Sequence, residues 1–304
     1  MPSWTEGVSL TMRSPHSERW KEHSYLLLPL GFSAALGVFD LYSGAFATSP
    51  ISLLLILAML MVCLLALALR PGRSWFPLIM VTLSYEALAG PVDSIADTNK
   101  IVSLFDFDKT IWGFNLTGWV QSSLFSPPLT YATVFLYEML IPLVVATSVI
   151  VWRSRNREFG KYVTAMLLTS YAAMVTFLLV PTAPPWFDGV AKNLIQATGI
   201  NQAPTFLGPL ASFLEPDKFA AFPSLHAAYT VICAYFLMKV DRRLGAVGMV
   251  IMGGTFFSTI YLGQHYLIDL IAGSAYAAVP CILSQRLQLF KAHENIRTKM
   301  LRRP

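Results

Sequence analysis

Apolar residues fall into eight runs of about 20, separated by short polar breaks. Each run is long enough to cross a hydrocarbon core of roughly 30 Å as a helix. The pattern predicts spans at about 25–46, 51–69, 75–95, 129–152, 162–182, 222–240, 244–262 and 265–286. Between the second and third runs, Arg70-Pro71-Gly72-Arg73 marks a sharp break. The expected fold is all-α: a polytopic transmembrane helical bundle of about eight spans, forming one domain over 25–286. Residues 1–24 form a polar tail with no apolar core, so no cleaved signal is expected there. Residues 287–304 form a basic tail.

Two connections are long, 96–128 and 183–221. Long ordered connections often carry function. In the first, Phe105, Phe107, Ile111, Trp112, Phe114 and Trp119 alternate with Asp106, Asp108 and Lys109. That mixture fits an amphipathic segment lying in the membrane interface, or a loop packed over the bundle.

Charge fixes the expected orientation. The chain is 55% hydrophobic and 13% charged, against roughly 25% charged in soluble domains. With both termini inside, 18 of the 22 lysines and arginines fall on the inner side. The four outer ones are Lys100, Lys109, Lys192 and Lys218. Lysine and arginine concentrate on the cytoplasmic side of membrane proteins. The +5 net charge is therefore a topology signal, with attraction to anionic lipid, and not a nucleic-acid footprint. Cys63, Cys233 and Cys281 all lie inside spans without metal-ligand spacing and are expected to be apolar packing residues.

Of five histidines, His16, His23 and His293 sit in the tails. The other two, His226 and His265, fall at outer ends of predicted spans. His265 precedes Asp269 by four residues, a spacing that puts both on one helix face. An aspartate on one imidazole nitrogen frees the other to attack or accept a proton. The same pair could instead glue helices together, and a metal site would need a third ligand not evident nearby. His226 follows Pro223-Ser224, residues favoured at helix starts. It is expected in a first turn, where backbone amides attract phosphate. Pro181-Thr182-Ala183-Pro184-Pro185-Trp186 is a rigid helix exit at the same side.

Ala-Phe-Pro-Ser-Leu-His at 221–226 and His-Tyr-Leu-Ile-Asp at 265–269, with Pro-Thr-Ala-Pro-Pro-Trp at 181–186, resemble the type 2 phosphatidic acid phosphatase superfamily. The wording is closest to the branch containing inositol phosphorylceramide synthase and related bacterial membrane proteins. The resemblance covers roughly 75–286 and implies a six-helix core, with the first two spans as an addition. It implies an integral membrane lipid phosphatase or phosphotransferase with its site on the outer or luminal face. By that resemblance His265 attacks phosphorus and becomes a phosphohistidine, Asp269 orients it, and His226 protonates the departing oxygen. The substrate is then a membrane lipid phosphate, the acceptor water or an alcohol, and neither metal nor cofactor is required.

The chain departs from the wider superfamily in its cations. Thr259 stands where that family places an arginine, and 181–186 has no basic residue. Ser224, Lys218, Gln264, Tyr261 and Trp186 are the candidates to bind the substrate, with Lys192, Lys109, Tyr85 and Tyr171 behind them. Glu86 and Glu138 could meet a polyol head group or pair inside the bundle. The alternative from another class is a proton-coupled lipid transporter or flippase built on the same three ionisable residues. Such a protein usually shows internal repeats and broken helices at mid-membrane, and no repeat is found.

Overall fold

The computed structural model describes residues 31–32, 34–38, 42, 78–79, 101–154, 156–198 and 218–287. Both tails, the second span, most of the first and third, Tyr85 and Glu86 lie outside the described residues. Of the first span, Phe32 packs edge-on against Tyr171 with ring centroids 5.0 Å apart, and Leu36 is buried.

The described chain is mostly helical: α1 (Phe105–Trp112), α2 (Leu116–Leu124), α3 (Pro127–Glu138), α4 (Leu140–Ser154), α5 (Asn156–Leu179), α6 (Leu194–Ala197), α7 (Leu225–Val240), α8 (Arg242–Tyr261) and α9 (Leu267–Leu287). Among these residues, three helices are long and apolar enough to cross a membrane: Glu158–Leu179, Arg242–Tyr261 and Leu267–Arg286. The α3–α4 pair makes a fourth if taken as one bent span, and α7 is apolar but shorter. This is an integral membrane protein.

The single span expected at 129–152 is two helices bent by 44°. Pro142 accounts for the break. It has no amide to donate to Glu138, and its ring disfavours helical backbone before it. The span expected at 222–240 starts instead at Leu225, because Ser224 caps it: Ser224 Oγ accepts from Ala227 N–H at 3.3 Å. At the next junction Asp241 caps α8, accepting from Arg243 N–H at 2.8 Å and Leu244 N–H at 3.3 Å.

Helix α7 is the axis of the bundle and packs on α4, α5, α8 and α9. It is apolar on every side, as a helix enclosed by others must be. Ile232, Cys233 and Phe236 are fully buried on it. Cys233 and Cys281 are free thiols within this packing.

The described chain is not wholly helical. Residues Val102–Ser103 (β1) and Thr182–Ala183 (β2) pair in parallel, and Thr182 also bridges Ala220. The prolines around Thr182 hold the chain extended, which lets it pair. These pairings gather both long connections over one end of the bundle. At the opposite end Lys161 donates to Glu158 at 2.8 Å and to Gln285 at 2.9 Å, joining α5 to α9.

Candidate active site

The site forms where α7 and α9 begin and α8 ends. Helix α8 stops at Gly263, whose φ of 78° is the left-handed conformation that glycine adopts without strain. Gln264 N–H and His265 N–H then both turn back onto the Thr259 carbonyl, at 3.0 and 3.2 Å. His265 is thereby held in the turn before α9 rather than on it.

The aspartate reaches back from the helix. Asp269 Oδ2 accepts from Tyr266 N–H at 2.8 Å and lies 3.5 Å from His265 Nδ1. The expected pairing of His265 with Asp269 is present, but not as two residues on one helix face. It is closer to a helix cap, in which a side chain in the first turn serves the chain before it. Asp269 Oδ1 and His265 Nδ1 are buried without a hydrogen-bond partner. The Nδ1 contact leaves Nε2 as the nitrogen outside the aspartate pairing.

His226 occupies the first turn of α7. Its ring centroid is 5.9 Å from that of His265, with 57° between the planes. A second ring holds it: Tyr137 of α3 stacks on His226 with centroids 3.9 Å apart and planes 24° apart. The amides of Leu225 and His226 lie in the first turn, where a helix offers N–H groups with no partner of its own. The Ser224 amide is not among them, because it donates to the Asp269 carbonyl at 3.1 Å.

The proline segment joins the same place. Trp186 N–H donates to the Gly263 carbonyl at 3.2 Å, and Thr182 N–H to the Phe219 carbonyl at 2.8 Å. The Trp186 ring is half-buried, edge-on to Phe187 at 5.9 Å. So the three motifs meet at one end of the bundle.

The other expected substrate ligands are placed differently. Ser224 is fully buried as a cap. The Tyr261 hydroxyl shares a hydrogen bond with Thr130 at 2.9 Å and ties α8 to α3. Gln264 Nε2 donates to Asn193 at 3.1 Å and to the Leu262 carbonyl at 3.4 Å. Lys218 is exposed, in the turn leading to Ala220. Lys109 lies 5.7 Å above the Phe105 ring, and the Lys192 main chain is held by Gln121.

Several residues that the sequence did not single out support the pair. Asp188 Oδ2 accepts from Ser103 at 2.6 Å and from the Tyr266 hydroxyl at 2.7 Å. Asp108, 2% exposed, accepts from Ile268 N–H at 3.1 Å and Trp112 Nε1–H at 3.2 Å. Burial raises the Asp108 carboxyl above its ordinary value, against those two donors. Tyr266 lay inside the quoted 265–269 motif and Asp188 two residues beyond the 181–186 segment, and that placement was the one available signal. Tyr137 had none, being 89 residues before the histidine it stacks on. Among the described residues, no group of three or more His, Cys, Asp or Glu could hold a metal ion.

The chain is similar to several known proteins. Phosphoinositol dihydroceramide synthase of Bacteroides thetaiotaomicron is 23% identical over 204 residues, covering 58% of this chain and 64% of that protein. Inositol phosphorylceramide synthase of Candida albicans is 29% identical over 129 residues, covering 39% and 27%. The catalytic subunit of that synthase in Schizosaccharomyces pombe is 27% identical over 120 residues, covering 36% and 28%. The chain thus spans less than two thirds of the length of each of these relatives. No solved structure matches it. The family model of the PAP2 superfamily matches residues 103–283, more than half of the chain, and the chain belongs to that superfamily.

Proposed function

We propose that this member of the PAP2 superfamily is a membrane lipid phosphotransferase that works through a phosphohistidine on His265. The observation that carries the reading is the pair of imidazoles 5.9 Å apart, one of them backed by a buried aspartate. In the first step His265 Nε2 attacks phosphorus. The P–N bond forms, the P–O bond to the leaving group breaks, and His226 gives its proton to the departing oxygen. Asp269 keeps Nδ1 protonated and balances the charge that the ring gains. In the second step His226 takes the proton from the acceptor hydroxyl. The acceptor oxygen then displaces His265 and restores the enzyme.

No metal takes part in this scheme, so hydrogen-bond donors must meet the phosphoryl oxygens. The first-turn amides of Leu225 and His226, at the start of a 16-residue helix, suit that task. Lys218, exposed on the turn before Ala220, is the nearest cation in sequence and is proposed to meet the substrate's outer phosphate oxygens or its lipid head group. The half-buried Trp186 would lie at the lipid interface beside them.

The names of the relatives favour an alcohol acceptor, with a phospho-head group transferred to a ceramide-like lipid. Water in the same place would give a phosphatase, with the same residues. The bilayer supplies the lipid. The inside-positive bias of the sequence supports a topology with both termini in the cytoplasm and the site on the outer or luminal face. The transporter reading has no support in the fold, where the three ionisable residues lie at one end of the bundle.

The test is turnover by the purified protein in mixed micelles. Labelled lipid phosphates and phosphodiesters are supplied with and without myo-inositol or a ceramide-like acceptor. A new labelled phosphodiester supports transfer, and released phosphate alone supports hydrolysis. Acid-labile, base-stable label on the wild-type chain, absent from His265→Ala, identifies the intermediate. Full activity in His265→Ala would overturn the mechanism.

A further inference from the structure

We propose that Tyr137 is a positioning residue for His226: its ring holds the imidazole in plane and favours the protonated form that the leaving group needs. This rests on the acid/base role of His226 proposed above.

Tyr137 belongs to none of the three motifs. It comes from α3, on the last turn before the bend that Pro142 imposes. The bend therefore fixes where the ring lies, and it lies on His226. The centroids are 3.9 Å apart and the planes are 24° from parallel, with Tyr137 only 2% exposed. A stack this close leaves the imidazole little freedom to rotate about its second side-chain torsion. That matters because the ring must present one edge toward the phosphorus held by His265, 5.9 Å away centroid to centroid.

The electrostatic need is as specific. His226 sits in the first turn of α7, where the positive end of the helix disfavours an imidazolium. His265 faces it from the turn before α9 and would add a second positive charge when protonated. Asp269 compensates His265, not His226. The face of a tyrosine ring attracts a cation lying over it. Among the described residues, Tyr137 is the aromatic neighbour stacked on His226, so it supplies that attraction where the helix end opposes it. An aromatic face can do this without a carboxylate, which would repel the incoming phosphate.

The experiment compares two substrates with a common phospho-group, one with an alkyl leaving group and one with a p-nitrophenyl leaving group. An alkoxide must be protonated as it leaves, whereas p-nitrophenolate leaves without help. Tyr137→Leu is expected to lower kcat for the alkyl ester about tenfold, with KM little changed. The p-nitrophenyl ester should lose less than about twofold. Tyr137→Phe keeps the ring and is expected to restore the alkyl rate. A second aromatic, Tyr137→Trp, guards against a Phe variant that packs poorly. Equal losses on both esters, or Tyr137→Leu turning over the alkyl ester at the wild-type rate, would overturn the proposal. Inactive wild-type chain, or an active His265→Ala, would instead sink the underlying mechanism, so the two failures are distinguishable.

Discussion

The Ser224 amide donates to the Asp269 carbonyl at 3.1 Å, so the first turns of α7 and α9 are bonded main chain to main chain. Both imidazoles lie close to that bond: His226, on α7, is two residues beyond Ser224, and His265, in the turn before α9, is four before Asp269. The spacing of the two imidazoles is thus set by backbone, which varies less than side-chain rotamers. A reaction needing two groups on opposite sides of one phosphorus gains from such fixing, because a displacement of about 1 Å can cost on the order of a hundredfold in rate.

Gly273 permits that contact. A Cβ there would collide with the Ser224 carbonyl oxygen, which is backbone and cannot rotate away. Gly273→Ala is expected to push α7 and α9 apart and stretch the Ser224–Asp269 bond. Turnover should fall by about a hundredfold, with overpacking lowering stability by roughly 1–3 kcal/mol. Steady-state rates and a thermal unfolding midpoint in detergent check both. Wild-type turnover in Gly273→Ala would show that the helices can separate without harm.

Asp188 and Tyr266 brace the other side of Asp269. Tyr266 donates its amide to Asp269 Oδ2 and its hydroxyl to Asp188, whose carboxylate also holds Ser103. Asp188→Ala leaves a buried tyrosine hydroxyl without its acceptor, at a cost of about 1–3 kcal/mol. The expected result is a lower kcat with KM less affected, since Asp269 loses its support while the phosphate amides remain. Asp188→Glu, which keeps a carboxylate, is expected to recover part of the rate. Unchanged kinetics in Tyr266→Phe and Asp188→Ala together would dismiss the brace.

The sequence made the motifs and their common side legible because each is local: a cap, a four-residue spacing, a run of prolines. Hydropathy located α5, α8 and α9 for the same reason, since one long apolar stretch makes one helix. What it missed is non-local or hinges on one backbone group. Pro142 splits an unbroken apolar run, and hydropathy does not see a missing amide. Tyr137 reaches His226, and Asp108 reaches Ile268, across sequence gaps that no period records. Tyr261 and Gln264, beside the second histidine, looked like ligands. In the fold the Tyr261 hydroxyl and Gln264 Nε2 are bonded within the protein, as buried polar groups usually are.

Gln121 shows how such bonding holds the two long connections. Its Nε2 donates to the Lys192 and Tyr261 carbonyls at 2.8 and 2.9 Å, and its Oε1 accepts from Lys192 N–H at 2.8 Å. Gln121→Leu keeps the volume and leaves three main-chain groups without partners. A loss of about 2–4 kcal/mol is expected, seen as a lower unfolding midpoint and faster proteolysis in 183–198. An unchanged midpoint would mean that these groups find other partners.

Asp108 offers a pH test with a defined sign. Its carboxyl is buried beside the start of α9, where the helix end and two N–H donors favour the charged form and burial opposes it. Burial prevails, and the carboxyl lies above its ordinary value. A carboxyl raised in the fold binds its proton more tightly folded than unfolded. Protonation therefore adds stability, and the gain grows as pH falls through the folded value toward the ordinary one. Above that window the buried charge is a net cost. Asp108→Asn keeps Oδ1 for Ile268 and Trp112 and cannot ionise, so its midpoint should not carry this term. The expected outcome is that wild type gains on Asp108→Asn as pH is lowered from neutral toward the ordinary carboxyl value of about 4. Parallel midpoints across that range would mean the carboxyl does not titrate there. A wild type that loses ground on acidification would mean that the helix end and its donors outweigh burial.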